Sequence, residues 1–156
     1  MKTCFVDTWG WMALANRRDS GHHVAMEIDQ WLDDHGWVLC TSDWVLDETL
    51  TQLQALGGSR VSLAFLEDLD AQVQARTLMM LNVNTLRLDA TLRWFKKLAP
   101  DVQRISLTDC STFALMDELD IRWAFTADRH FYRAGPHIGP LVARDAETLV
   151  FRPPHA

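Results

Sequence analysis

No apolar run in this chain approaches the ~18 residues that a membrane-spanning helix needs, so no membrane partner is expected. The opening stretch, MKTCFVDTWGW, has one Lys, reaches an Asp at position 7 and lacks an apolar h-region, so it does not read as a secretion signal. Cysteine is scarce: Cys4, Cys40 and Cys110 are odd in number, scattered, and form no CxxC pair. They read as buried thiols in a reducing, cytoplasmic setting, without zinc-ligand spacing. Basic charge is also short, with 15 Lys and Arg against 21 Asp and Glu, a formal net charge of −6. A bulk electrostatic grip on nucleic acid is therefore not expected. A nuclease stays open, because acids that hold a cation count as negative in the sum while the ion offsets them locally. There is no GxSxG, no Walker glycine loop and no HExxH spacing, and no persuasive protein nucleophile.

What is present is a globular mixture, 48% hydrophobic and 23% charged over 156 residues, the length of one domain. Periodicity lays out the elements. Lys2 to Val6 reads as a buried strand, Thr8 to Arg18 and His22 to His35 as helices, and Trp37 to Cys40 as a second strand. Thr41 or Ser42 caps a helix from Asp43 to Leu56, which Gly57-Gly58 stops, and another helix starts at Ser59. Thr77 to Val83 reads as a third strand. Asn84 or Thr85 caps a helix with Leu88, Leu92 and Phe95 on one stripe. Thr108 caps a helix opened by Asp109, Trp123–Thr126 is a strand, and a last strand falls at Leu141–Ala143 or Thr148–Phe151. Strands separated by helices mean an α/β fold with a central, mostly parallel sheet of four to five strands.

Among seven Trp, Trp31, Trp37, Trp94 and Trp123 fall in core-facing positions, while Trp9 and Trp11 are either core or a stacking surface beside Asp7. His22 and His23 read as surface residues.

Right-handed crossovers bring the strand C-termini to one edge, where ligands of such sheets bind. Asp7 and Asp128 both follow strand ends, and Asp109 opens a helix that starts near the same edge. Glu48 sits at the margin of the apolar side of its helix. Packed carboxylates repel unless a cation holds them. Mg²⁺ or Mn²⁺ suits oxygen ligands, and such a site hydrolyses phosphodiesters with metal-activated water. Asp43 and Asp47 read as outside this site, and Asp117, Glu118 and Asp120 as a solvated helix end.

FVDT, WVLDETLT, SLTDCSTFALM and AFTADRHF, in this order, resemble the four signatures of PIN-domain ribonucleases, and are most similar to the toxin components of VapBC-type toxin–antitoxin pairs. The resemblance spans about residues 2–135 of a single PIN-like domain over 1–156, with 136–156 as a C-terminal extension. It implies a PIN-like three-layer sandwich with the first and fourth strands adjacent. It assigns metal-binding and catalytic roles to Asp7, Glu48, Asp109 and Asp128, with Thr8 and Thr112 as polar support. It implies Mg²⁺- or Mn²⁺-dependent cleavage of single-stranded or loop RNA, a homodimer, and a cognate antitoxin. Arg104, Arg129 and His130 are candidates for RNA phosphate contacts or for surface pairs. Trp9 and Trp11 are bulkier than expected after the first Asp, and the extension is either a dimer element or an extra strand. A housekeeping RNA-processing nuclease and a non-catalytic interaction module on the same fold are the alternatives.

Overall fold

The computed structural model describes residues 1–135 and 137–155. Pro136 and Ala156, which the sequence reading places in the extension, lie outside the described residues.

The chain opens with β1 (Thr3–Val6), α1 (Thr8–Ala15), α2 (His22–Asp34) and β2 (Val38–Ser42). It continues through α3 (Asp43–Gln74), β3 (Leu78–Leu81), α4 (Thr85–Leu98), α5 (Leu107–Glu118) and β4 (Trp123–Phe125). The sheet is parallel throughout, in the order β3-β2-β1-β4, with β5 (Gly139–Pro140) added beyond β4. Helices flank it, as expected for the α/β fold. From β1 the chain builds outward to β2 and β3, then returns to place β4 on the other side of β1. The strand order therefore reverses between β1 and β4, and parallel sheets open their ligand crevice at such a point. Cys4, Phe5 and Val6 in β1 and Ala124 and Phe125 in β4 are fully buried. Phe5, Phe113, Phe125 and Phe131 are among the largest side chains sealed in the core.

α5 is buried on every side from Asp109 to Met116, the mark of a helix at the centre of a fold. It begins two residues earlier than the sequence suggests. Ser106, not Thr108, is the cap: its backbone is extended and its hydroxyl accepts the Asp109 N–H at 3.0 Å. Thr108 lies within the first turn, where its carbonyl accepts the Ser111 hydroxyl at 2.7 Å. Asp109 thus occupies the third helical position, held by a cap three residues before it.

Other boundaries shift for local reasons. α1 stops at Ala15 rather than Arg18, because the Asn16 side chain accepts the Arg18 N–H at 3.1 Å and diverts the backbone. The Gly57-Gly58 stop holds: Gly58 is non-helical (φ 68°, ψ −167°), so α3 is two helical segments joined at a kink there. On α4 the buried stripe is rotated: Leu92 is exposed, while Thr91 and Leu98 are buried against α5. Thr91 can occupy that face because its hydroxyl donates to the Arg87 carbonyl at 2.7 Å. Glu118 is not simply solvated. Its carboxylate takes two Arg87 N–H groups at 2.9 Å each, joining α4 to α5.

Both candidate strands of the extension form. β6 (Val142–Asp145) and β7 (Thr148–Phe151) pair with each other as an antiparallel hairpin. Phe151 meets Trp31 of α2 edge-on, with ring centres 5.7 Å apart.

Candidate active site

β1 and β4 end side by side, with Val6 opposite Phe125 in the register. The next residues, Asp7 and Thr126, therefore stand across the switch-point crevice. The Thr126 hydroxyl donates to Asp7 Oδ2 at 3.1 Å and accepts the Asp128 N–H at 3.0 Å. Asp128 turns the chain into a short 3₁₀ helix, Arg129–Tyr132, and its Oδ1 accepts the His130 N–H at 2.9 Å. The His130 imidazole reaches back across the crevice, its Nδ1 2.9 Å from Asp109 Oδ2 and 3.7 Å from Asp128 Oδ1. A continuous chain of hydrogen bonds thus runs from Asp7 through Thr126, Asp128 and His130 to Asp109.

The charges are crowded. Burial pushes the Asp7 carboxyl up to about 8. The neighbouring Asp109 charge adds to this, the Thr8 backbone N–H opposes it, Asp128 raises it further and the Thr126 hydroxyl lowers it. Asp109 is also raised, first by burial, against the His130 hydrogen bond, and then by the charge of Asp128. Glu48, half-buried on the second turn of α3, adds repulsion at Asp109. Among the described residues, no Lys or Arg side-chain nitrogen lies within 4.0 Å of a carboxylate oxygen of the four acids.

This donor set fits a divalent cation. Oxygen or nitrogen atoms of Asp109, Asp128 and His130 all lie within 4.8 Å of one another. The hydroxyls of Thr8 and Thr112, both buried, have no hydrogen-bond partner among the described residues. Crowded carboxylates without a Lys or Arg partner, and buried hydroxyls one residue after Asp7 and one turn after Asp109, are polar groups that a hydrated ion satisfies. Asp7 and Glu48 stand outside the tightest cluster and reach it by charge.

The other expected positions separate. Trp11 is core: its indole N–H donates to the Thr41 hydroxyl at 3.0 Å and its ring meets Phe65 edge-on. Trp9 is half-buried and packs towards Phe125, at 6.5 Å between ring centres. Arg104 sits exposed on the turn before α5. Arg129 is exposed, makes no ion pair with the acids among the described residues, and lines a cleft that also takes in His130. Two residues of the site were missed in the sequence. Thr126 is a strand-end Thr two positions before an Asp, and Ser106 stands three residues before Asp109. The second spacing is legible as a cap signal.

Comparison with known proteins places this geometry. The chain is 31% identical, over 131 residues, to the 23S rRNA-specific endonuclease VapC20 of Mycobacterium tuberculosis, covering 84% of this chain and 93% of that protein. The chain belongs to the VapC-type PIN-domain toxin ribonucleases. The crystal structure of Mycobacterium tuberculosis VapC20, described as a sarcin–ricin loop cleaving toxin, superposes with a TM-score of 0.71 at 28% identity, over 85% of this chain and 95% of that one. DNA-bound VapBC from Salmonella typhimurium shares the fold, with a TM-score of 0.63 at 16% identity over 90% of this chain and 97% of that one. No family model matches the chain. The adjacency of β1 and β4 in this VapC-type chain is the arrangement that the four sequence signatures imply.

Proposed function

We propose that this VapC-type chain is a metal-dependent endoribonuclease that cuts single-stranded or loop RNA, and that it is the toxin of a type II toxin–antitoxin pair. The observation that carries the reading is the convergence of Asp7, Asp109 and Asp128 on the β1–β4 crevice, with no Lys or Arg ion pair to any of them among the described residues. Asp109, Asp128 and Asp7 would hold Mg²⁺ or Mn²⁺, with Glu48 contributing charge from α3. Such an ion supplies a Lewis acid that makes bound water nucleophilic near neutral pH and offsets phosphoryl charge. The chain's own part is to keep the acids in register. Thr126 fixes Asp7 against Asp128, and His130 fixes Asp109. Thr8 and Thr112 offer hydroxyls to water or to the ion's shell. Arg129, on the wall of the neighbouring cleft, would meet a phosphate next to the cut.

The relative's 23S rRNA specificity makes a stem–loop of large ribosomal RNA the first substrate to try. A homodimer and an inhibitory antitoxin belong to the same reading. The test is cleavage of total RNA and of ribosomal stem–loops with Mg²⁺ or Mn²⁺ by wild type, Asp7→Asn and Asp109→Asn. Both variants should fold, by circular dichroism, and lose cleavage by about a hundredfold or more. Full activity in either one defeats the assignment.

A further inference from the structure

Beside the acids, a cleft of about 380 Å³ opens between two segments, the Asp101–Gln103 turn after α4 and the 3₁₀ turn after β4. Arg129, Tyr132 and Arg133 line it, and His130 is shared by the cleft and the acid cluster. The cleft therefore borders the acid cluster, with the His130 side chain as the shared wall.

The chemistry of its wall is specific. Arg129 and Arg133 make no ion pair within 4.0 Å among the described residues. In a chain of net charge −6, the two guanidinium groups outnumber the one carboxylate on this wall, Asp101. Tyr132 is half exposed, yet it is not loose: its hydroxyl donates to the Val142 carbonyl at 2.9 Å. That bond ties the ring to the first residue of β6. The extension thus fixes the orientation of an aromatic ring that remains open to solvent. A ring already held in place loses little conformational freedom when a base stacks on it.

We propose that this cleft is a nucleotide subsite, taking the residue next to the scissile phosphate. In it the Tyr132 ring stacks on the base and Arg129 and Arg133 hold the flanking phosphates. The subsite rests on the ribonuclease reading above. Single-stranded RNA fits it better than an acidic protein segment does, because a pinned exposed ring in a cleft that shares His130 with the acid cluster matches a splayed base. Stacking and phosphate contacts also leave separate signatures: phosphate contacts set the salt dependence of binding, and stacking does not.

The test uses the chain carrying Asp7→Asn, in EDTA so that no ion is present and nothing is cleaved, and a fluorescein-labelled RNA stem–loop. Binding is read by anisotropy over a salt series. Tyr132→Leu should weaken binding about tenfold with an unchanged salt slope, whereas Tyr132→Phe, which keeps the ring, should stay within about threefold. The double variant Arg129→Gln/Arg133→Gln should weaken binding about tenfold or more and reduce the salt slope by about two counterions' worth. Mn²⁺ binding by calorimetry, measured in the same substitutions made without Asp7→Asn, should not change. RNA affinity and salt slope unaltered in all three variants would overturn the subsite, and would leave the cleft to an acidic protein segment. If the unsubstituted chain also neither binds nor cleaves any RNA, the ribonuclease reading falls with it. Cleavage that survives while the cleft variants bind normally removes the subsite alone.

Discussion

Thr126 Oγ1 lies 3.1 Å from Asp7 Oδ2, and this one hydroxyl joins residues 119 positions apart in the chain. It also accepts the Asp128 N–H, so it holds two of the candidate metal-binding acids at once. Thr126→Val keeps the shape and removes both bonds. We expect divalent-ion affinity and cleavage to fall about tenfold to a hundredfold, as for other residues that orient ligands. Thr126→Ser should restore most of both. Calorimetry with Mn²⁺ and a single-turnover cleavage assay check this. A Val variant equal to wild type in both would remove Thr126 from the site.

The raised Asp7 carboxyl makes metal-free stability depend on pH. Its value of about 8 in the fold stands against 3.8 for the free group. The folded state therefore binds this proton more tightly than the unfolded chain does. That stabilisation is complete below the unfolded value and is lost as pH rises through the folded one. Asp109 shifts in the same direction. Metal-free protein should thus lose stability between about pH 4 and pH 8. Asp7→Asn should melt about 5 °C or more above wild type at pH 8, with the gap closing towards pH 4. Mg²⁺ or Mn²⁺ should raise the wild-type melting temperature and leave the Asn variant nearly unmoved. Thermal melts across pH, with and without ion, decide it.

Thr112 is fully buried with an unpartnered hydroxyl. An apolar isostere removes the cost of leaving that group unsatisfied, on the order of 1 kcal/mol or more. Thr112→Val should therefore raise the metal-free melting temperature while lowering cleavage. Such an opposed pair of effects is the signature of a group kept for the site. A variant that is less stable and fully active would assign Thr112 to packing.

Gly10 is where α1 approaches β4 most closely. A Cβ there would lie 2.7 Å from the Phe125 carbonyl oxygen and 2.9 Å from Val6 Cγ1. Backbone cannot yield cheaply, so Gly10→Ala should cost about 1–3 kcal/mol, read by urea unfolding. Phe125 directly precedes Thr126, so divalent-ion affinity should fall too.

Much of this was legible in the chain itself. Apolar runs ending in Asp7 and just before Asp128, with helical spacing between them, are local patterns. Local patterns suffice to place strands, helices and the three aspartates at one edge of a parallel sheet. The kink at Gly57-Gly58 and the burial of the thiols were readable for the same reason. The rotated face of α4 was not, since Leu92 and Thr91 are distinguished only by where α5 packs. Nor was the pairing of β6 with β7, which placed two candidate strands of the extension against each other. The role of His130 belongs with these. Its sequence position suggests an RNA contact, but the turn begun by Asp128 swings its ring onto Asp109, 21 residues away.

The sequence by itself determined which residue types stand at the ends of which elements, because capping, periodicity and burial act over a few neighbouring residues. Only the tertiary structure decided how those ends meet. The reversal of strand order between β1 and β4 set Thr126 against Asp7, and the docked hairpin pinned Tyr132 at Val142. Such contacts depend on the packing of whole elements against one another, and no short stretch of the chain encodes them.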